Sequence, residues 1–248
     1  MLDSGSTDGT VKIAEEYGAR VITRPYDMEL NQRIFSVREI SLKYPWVYNP
    51  DADEVTTEEL RDEMLRVVAD DRRPEVAYRV RFKTMFMGRW LKYSSLYPTW
   101  VTRLFRQDKI SFKRRVNSYF IPDGPEGRLD GYFLHFTFNK GFDAWFQKHN
   151  VYSHFEAREA LDSLSTGVID WVGVFNPADA VRRRRALKEL SFRLPFRPLL
   201  RFCYMFVIKK GFLDGYPGFA YCMLLSIYEY MMVLKINELR RRKRGLPI

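Results

Sequence analysis

The sequence predicts an α/β fold followed by a helical C-terminal segment that is both apolar and basic. Three observations indicate this. The first 24 residues read as a loop, a helix and a strand; an apolar run at residues 46–48 precedes an acidic motif; and residues 202–208 and 219–234 are apolar stretches between Arg and Lys clusters. The 248 residues are enough for a large core. We expect the α/β domain over residues 1–165 and the helical segment over residues 166–248.

Residues 3–10, with the sequence Asp-Ser-Gly-Ser-Thr-Asp-Gly-Thr, are rich in turn-forming and helix-capping side chains. Residues 11–17 then read as a short amphipathic helix that ends at Gly18, and residues 19–22 read as a strand. A loop that opens a helix between two strands is suited to hold a nucleotide through its backbone N–H groups. An ordinary turn with a helix cap is the alternative explanation.

Residues 51–54, Asp-Ala-Asp-Glu, follow the apolar run at 46–48 and precede a helix that begins near Thr57. Pro50 cannot donate to a strand ladder, so it marks the end of the strand. Alternation would place Asp51 and Asp53 on the same side of an extended chain. Two carboxylates so placed suit Mg²⁺ or Mn²⁺ bound to a diphosphate. A solvated turn is the alternative here.

Aromatic and basic side chains interleave between residues 85 and 120. Aromatic faces stack on sugars, and arginine forks match diphosphate oxygens. Single-stranded nucleic acid would accept the same mixture, although no RNA-binding signature accompanies it. The formal charge of +10 suits anionic partners, among them a nucleotide diphosphate, nucleic acid and an anionic membrane face.

The C-terminal third contains two apolar stretches that are each shorter than the ~20 residues of a membrane span, and Glu229 interrupts the second. Flanking basic clusters, including residues 240–244, predict helices that lie in an anionic membrane face. A helical cap with a solvated tail is the alternative. Cys203 and Cys222 read as buried free thiols, which fits a reducing compartment. Since no charged-then-apolar leader begins the sequence, we expect a cytoplasmic protein at the inner face of the membrane.

Taken together, residues 3–10 and 51–54 resemble the family 2 glycosyltransferases, bacterial sugar transferases of the GT-A fold. The similarity to the lipopolysaccharide-core and exopolysaccharide branch continues over most of the chain, through residues 87–91, 97–98, 103–106, 116–117, 135, 148–153 and 211–215. The resemblance implies a GT-A-like domain with a mixed sheet. The first strand and first helix of that fold precede Asp3 in the family. We therefore expect a gene start that is assigned too late, with a genuine truncation as the alternative.

The resemblance also assigns roles to residues of this sequence. It implies that Asp3 and Ser4 contact the nucleotide, and that Asp51 and Asp53 hold the metal and the diphosphate. Arg103, in the matched Arg-Leu-Phe-Arg string, is a further candidate for binding the nucleotide sugar.

The catalytic base is the point where this sequence departs from the family. In related sequences an acidic residue follows the Val-Asn or Val-His pair, whereas this chain has Ser118 after residues 116–117. A hydroxyl is a poor base at neutral pH. Asp123 and Glu126 are therefore the candidate bases.

The sequence thus predicts a metal-dependent, inverting glycosyltransferase of cell-envelope polysaccharide synthesis. Its expected partners are a nucleotide-sugar donor, a lipid-linked or glycan acceptor and the membrane surface, without nucleic acid. Three alternatives remain open, and one of them, a nucleic-acid-binding module, is suggested only by the charge. The absent strand and Ser118 suggest an inactive truncated relative that acts as a membrane-bound partner, and paired aspartates with a basic cleft would also serve a nucleotidyltransferase.

Overall fold

The computed structural model describes residues 1–113, 119–165, 167–177 and 180–248. The chain divides into two compact units. Residues 1–81 and 100–133 form the first, here called the sheet unit, and residues 82–99 and 134–248 form the second, here called the helical unit. The expected domain boundary between residues 165 and 166 stays a prediction.

The α/β character predicted from the sequence is present. Over the described residues the strands are β1 (Leu2–Asp3), β2 (Ile22–Thr23), β3 (Trp46–Tyr48), β4 (Glu54–Thr56), β5 (Ala77–Phe86), β6 (Arg89–Trp90), β7 (Thr99–Arg106), β8 (Ile110–Lys113), β9 (Tyr119–Pro122) and β10 (Glu126–His135). Strands β1 and β2 pair in parallel, whereas β8 and β9 pair antiparallel. The remaining strands form one sheet in the order β3-β7-β5-β10-β4, with β6 beside β5 and with β3 antiparallel to β7.

The helices follow the same chain order. Those of the sheet unit are α1 (Thr10–Glu16), α2 (Glu29–Arg38) and α3 (Glu58–Val68), and those described in the helical unit are α4 (Gly141–Ser165), α5 (Trp171–Phe175), α6 (Ala180–Ser191), α7 (Arg197–Cys203) and α8 (Gly215–Lys243). The helix predicted near Thr57 is confirmed as α3. The Thr57 hydroxyl accepts from the backbone N–H of Leu60, and two acidic residues follow in the first turn, where they favour the helix dipole.

The core of the sheet unit holds helix α2. Val37 of α2 is buried in a cluster with Phe105 of β7 and Ile110 of β8. The amide of Gln107 donates to the carbonyl of Val37, and Arg38 donates to the carbonyl of Ile110 at 2.9 Å. The last turn of α2 is therefore held by both apolar packing and hydrogen bonds.

In the helical unit, a 3-10 turn over Gly211–Asp214 packs tightly against the start of α8. The carboxylate of Asp214 is buried and accepts hydrogen bonds from the backbone N–H groups of Lys92, Tyr93 and Ser94 at 2.8–3.0 Å, as well as from the Ser94 hydroxyl. A Cβ atom on Gly218 would lie 2.3 Å from the carbonyl oxygen of Gly211, so a larger residue cannot fit there. This part of the family resemblance thus coincides with a packed, hydrogen-bonded turn.

We expected the second C-terminal apolar stretch to be too short for a membrane span and to be interrupted at Glu229. This expectation was wrong, because the stretch lies within α8, which runs without a break for 29 residues. Pro217 falls in the first turn of α8, where a helix has no N–H bond to lose. Glu229 does not interrupt the helix either, because it pairs with Arg197 at 2.6 Å. Within the described residues, one helix, Gly211–Lys243, is long and apolar enough by composition to cross a bilayer, and 22% of its most apolar window is buried within the protein.

Both cysteines are free thiols. Cys222 is buried, as expected, but Cys203 is exposed, so the prediction of burial was wrong there. The difference follows from position, since Cys222 lies on the packed face of α8 whereas Cys203 ends α7 next to the exposed Tyr204.

Candidate functional site

The acidic motif forms a turn at the end of β3. The backbone N–H of Asn49 still donates to the carbonyl of Arg103, at 2.8 Å, and Pro50 then ends the ladder. The N–H of Glu54 donates to the carbonyl of Asp51 at 3.0 Å, which closes a turn over residues 51–54. The expectation of an extended chain with alternating aspartates was wrong, because a chain that cannot continue its ladder after Pro50 turns back into β4.

Arg103 holds this turn from the neighbouring strand. The register that pairs Tyr48 with Leu104 places Arg103 beside Asn49, directly at the turn. Its buried guanidinium donates to the carboxylates of both Asp51 and Glu54. Arg33 of α2 pairs with the other oxygen of Asp51 at 3.3 Å. The motif therefore lies against two guanidinium groups, which are the groups that best match carboxylates and phosphates.

The carboxylates of the motif differ in exposure. The side chain of Glu54 is 1% exposed, whereas that of Asp51 is 41% exposed. Burial raises the pKa of Glu54, and the charge of Arg103 opposes part of that rise. For Arg103 itself, burial would lower the pKa, but Asp51 and Glu54 outweigh it and the pKa is raised. Glu54 thus anchors the turn from inside, and Asp51 presents charge toward solvent.

The loop at residues 3–10 is organised by Asp3. The buried carboxylate of Asp3 accepts from the backbone N–H groups of Gly5 and Ser6, at 2.8 and 2.9 Å, and from the Ser6 hydroxyl at 2.5 Å. The Ser6 hydroxyl and these N–H groups lower the pKa of Asp3. Gly5 adopts a φ of +94°, which glycine tolerates best. Two of the N–H groups expected to face a nucleotide therefore bind Asp3 instead.

Helix α2 contacts both of these segments. The side-chain amide of Gln32 lies 3.3 Å from the hydroxyl of Ser4, and the next residue, Arg33, pairs with Asp51. The predicted nucleotide loop and the predicted metal motif, far apart in sequence, thus meet on two adjacent residues of one helix. Gln32, Arg33 and Glu54 were not predicted as site residues. Glu54 was visible in the motif itself, but Gln32 and Arg33 are ordinary polar positions of an amphipathic helix and carry no local signal.

The candidate bases lie around the connection from β9 to β10. Glu126 accepts from the Thr102 hydroxyl at 2.6 Å and pairs with Arg79 at 2.6 Å. Asp123 is exposed in the turn, and its backbone N–H donates to the carbonyl of Lys109. Ser118 lies outside the residues that the structure describes. The catalytic roles of these three residues stay predictions.

Comparison with known proteins indicates the functional class of this protein. The chain is 25% identical over 257 residues to an uncharacterized glycosyltransferase of Rickettsia typhi, covering 99% of this chain and 80% of that protein. It is 27% identical to a second uncharacterized glycosyltransferase, from Rickettsia felis, over 96% of this chain and 79% of that protein. The lipopolysaccharide core biosynthesis glycosyltransferase LpsC of Rhizobium meliloti is 24% identical over 96% of this chain and 82% of its own length. No family model matches the chain.

The chain is a homologue of bacterial glycosyltransferases. The similarity covers almost the whole chain, so both units of this glycosyltransferase homologue have counterparts in its relatives. It supports a transferase enzyme, as the sequence predicted.

The turn at residues 51–54, here called the acidic turn, offers the carboxylate oxygens that Mg²⁺ prefers, but it does not supply a complete set of protein ligands. Over the described parts of the chain, no three His, Cys, Asp or Glu side chains group together as metal ligands. Mg²⁺ commonly keeps several waters and is held by one or two carboxylates together with substrate phosphates. Asp51 and Asp53 are two carboxylates in one partly exposed turn, so they fit a magnesium ion that is also bound by water and by substrate phosphates.

Proposed function

We propose that this protein is a metal-dependent glycosyltransferase of the GT-A fold. It transfers a sugar from a nucleotide-diphosphate donor to a lipid-linked or glycan acceptor of the cell envelope. The observation that carries the proposal is the meeting of the loop at residues 3–10 and the acidic turn on Gln32 and Arg33 of α2. The similarity to LpsC, whose name places it in lipopolysaccharide core synthesis, supports this acceptor class.

The donor would bind with its nucleotide at the loop of Asp3 and Ser4 and with its diphosphate at the acidic turn. Asp53, assisted by Asp51, would hold Mg²⁺ or Mn²⁺, which neutralises the charge of the departing diphosphate when bound. Arg33 and Arg103 keep Asp51 in place and add positive charge beside the turn. These guanidinium groups also offset the mutual repulsion of the carboxylates before the metal arrives.

The transfer would be inverting. The acceptor hydroxyl attacks the anomeric carbon from the face opposite the diphosphate, the bond from that carbon to the phosphate oxygen breaks, and a carboxylate takes the hydroxyl proton. Asp123 and Glu126 are the candidates for that carboxylate. Glu126 already binds Arg79 and Thr102, which would hold a base in a fixed orientation, whereas Asp123 is more exposed.

The helical unit would attach the enzyme to the inner membrane face. One side of α8 packs inside the unit, but exposed apolar side chains recur along its other side at helical spacing, namely Tyr216, Phe219, Met223, Ile227, Tyr230 and Leu234. Val207 and Ile208 are also exposed, immediately before Lys209 and Lys210. An exposed apolar stripe with cationic ends fits a helix lying in an anionic interface. A lipid-linked acceptor is found at that interface.

The donor site is tested by Asp53→Ala. We expect this variant to lose Mn²⁺-dependent binding of the donor, measured by calorimetry with a panel of nucleotide sugars, and to lose release of nucleoside diphosphate. The fold should remain, because a partly exposed carboxylate in a turn contributes about 1 kcal/mol to stability. Asp108→Ala is the matched control, since Asp108 is an exposed, ion-paired carboxylate of the same unit.

The products separate the alternatives. Transfer of the nucleotide, with release of pyrophosphate from a nucleoside triphosphate or of a sugar phosphate from the nucleotide sugar, would identify a nucleotidyltransferase. Binding of the donor with no turnover, in the presence of Mn²⁺ and a glycan acceptor, would favour the inactive relative. Equal donor affinity of Asp53→Ala and the unaltered protein would remove the acidic turn from the proposal.

Membrane attachment is tested by flotation with liposomes that contain anionic lipid. We expect Val207→Ser combined with Ile208→Ser to reduce the bound fraction severalfold, because the two side chains supply apolar burial that salt does not screen. Val55→Ser, an equally exposed apolar residue of β4, serves as the control. Complete release of the unaltered protein by high salt would show attachment by charge alone.

A further inference from the structure

A cavity of about 560 Å³ lies within the helical unit, between the start of α7 and one side of α8. This volume is in the range of small-molecule sites, roughly 300–1,000 Å³. Residues 192–199 line one wall, and Tyr230, Val233, Ile236, Asn237 and Arg240 of α8 line the other. Because these α8 residues follow one another at helical spacing, the cavity extends along the helix as a groove.

The lining is mostly apolar, its polar members include Asn237 and three arginines, Arg193, Arg197 and Arg240, and none of the lining residues is Asp or Glu. Arg193 donates to backbone carbonyls, including that of Glu189 at 3.1 Å. Arg240 is exposed, and it also lines a second cavity of about 440 Å³ together with Arg241 and Arg244. One end of the groove is therefore strongly cationic, while most of its wall is apolar.

Arg197 is the buried charged residue that lines this cavity. Its side chain is 7% exposed, and its Nη2 pairs with Glu229 at 2.6 Å. Its Nη1 is buried and has no hydrogen-bond partner in the described parts of the chain. Burial lowers the pKa of Arg197, while Glu229 opposes the effect. A buried guanidinium nitrogen without an acceptor is unfavourable, and a ligand oxygen would satisfy it.

We propose that this cavity binds an anionic amphiphile, with an alkyl or acyl chain along the apolar walls and a phosphate or carboxylate at the arginines. The chain would contact Phe192, Leu199, Val233 and Ile236, and the head group would accept from Arg197 Nη1, while Arg240 adds positive charge further along the groove. A free inorganic anion would leave the apolar walls uncovered, and an uncharged chain would leave Nη1 unsatisfied. The site shares no residue with the acidic turn, so it does not depend on the proposed transfer reaction.

The probe is dodecyl phosphate, used below its critical micelle concentration and titrated by calorimetry into the full chain. We expect one molecule per chain, bound at least about tenfold more tightly than 1-dodecanol, because a charge-assisted hydrogen bond to a buried guanidinium is worth that factor or more. Inorganic phosphate alone should show no measurable binding at the same concentration.

Two variants locate the site. Val233→Phe fills the groove and should weaken dodecyl phosphate binding about tenfold or more, whereas Val151→Phe, the same change at an exposed position of α4 outside the groove, should not. The double variant Arg197→Met with Glu229→Met removes both charges and should reduce the preference for dodecyl phosphate over dodecanol severalfold, leaving only the contribution of Arg193 and Arg240.

Three results would overturn the proposal. They are equal affinity for dodecanol and dodecyl phosphate in the unaltered protein, equal effects of Val233→Phe and Val151→Phe, and binding of many molecules per chain, which would indicate adsorption to the exposed surface. If the double variant fails to fold, the comparison of the two probes and of the two phenylalanine variants still decides.

Discussion

The two units of the molecule each contain a buried pair of arginine and glutamate, and the pairs are used differently. In the sheet unit, Arg103 contacts Glu54, with side chains 8% and 1% exposed. In the helical unit, Arg197 contacts Glu229, with side chains 7% and 18% exposed. Arg103 also donates to Asp51, a carboxylate that is partly exposed to solvent. Arg197 instead lines a mostly apolar cavity, and its Nη1 has no hydrogen-bond partner in the described residues.

The two ion pairs differ in the group that each one leaves able to bind a ligand. Desolvation of two charges can cost as much as their attraction returns, so a buried ion pair is weak evidence for stability by itself. The pair in the sheet unit holds the acidic turn at the end of β3 and supports its exposed carboxylate. The pair in the helical unit allows α8 to carry Glu229 within an apolar helix, and it presents a positive group to a cavity. Both pairs are therefore tied to candidate binding sites.

The largest expected effect is that of Arg103→Met. This change leaves Glu54 buried without its partner, and removing one member of such a pair costs about 3–5 kcal/mol. We expect chemical denaturation to show this loss and calorimetry to show loss of donor binding. Arg103→Lys keeps the charge but cannot contact Asp51 and Glu54 as a planar fork, so it should recover part of the stability and little of the donor binding. Wild-type donor affinity in Arg103→Met would contradict the role of the pair in the site.

Arg197→Met should destabilise less, because Glu229 is more exposed than Glu54 and regains some hydration. The contrast is sharper in the paired replacements. Arg197→Met with Glu229→Met should restore most of the stability, since well-packed apolar residues often replace a buried ion pair without loss. Arg103→Met with Glu54→Met should restore stability but not donor binding, because Asp51 has then lost a partner. Denaturant titration of the four variants checks this, and recovery of donor binding in the second pair would refute it.

The elements governed by local chemistry were predictable from the sequence. The cap at Thr57, the end of β3 at Pro50 and the end of α1 before Gly18 all follow from side chains that act within a few residues. The contacts that assemble the candidate site are not local. Gln32 reaches Ser4 across 28 positions and Arg103 reaches Asp51 across 52, and no periodic pattern encodes either contact.

The same limit explains the length of α8. Glu229 read as an interruption because its partner, Arg197, lies 32 positions earlier in the chain. The acidic turn is a mixed case. Its residues and its place after β3 were predictable, but the turn itself depends on Arg103 and Glu54, which come together only when β3 and β7 pair.

The smallest expected effect is a difference in sign between the units as pH changes. Burial raises the pKa of Glu54, so the folded sheet unit holds that proton more tightly than the unfolded chain, and its contribution is lost as pH rises through the raised pKa. In the helical unit, the ring of His149 stacks on Trp145 at 3.8 Å, and burial lowers the pKa of His149 below 6.5. The folded helical unit therefore binds fewer protons than the unfolded chain as pH falls through 6.5, and it loses stability in that range.

Hydrogen exchange of the two units between pH 7.5 and 5.5, corrected for the intrinsic rate, measures this difference. We expect protection in the helical unit to fall on acidification, while protection in the sheet unit holds or rises. His149→Phe keeps an aromatic ring beside Trp145 but cannot take up a proton, so it should flatten the response of the helical unit and leave the sheet unit unchanged. If the helical unit of His149→Phe lost protection as steeply as the unaltered protein, the titrating group would be another one, and the assigned sign would rest on the wrong residue.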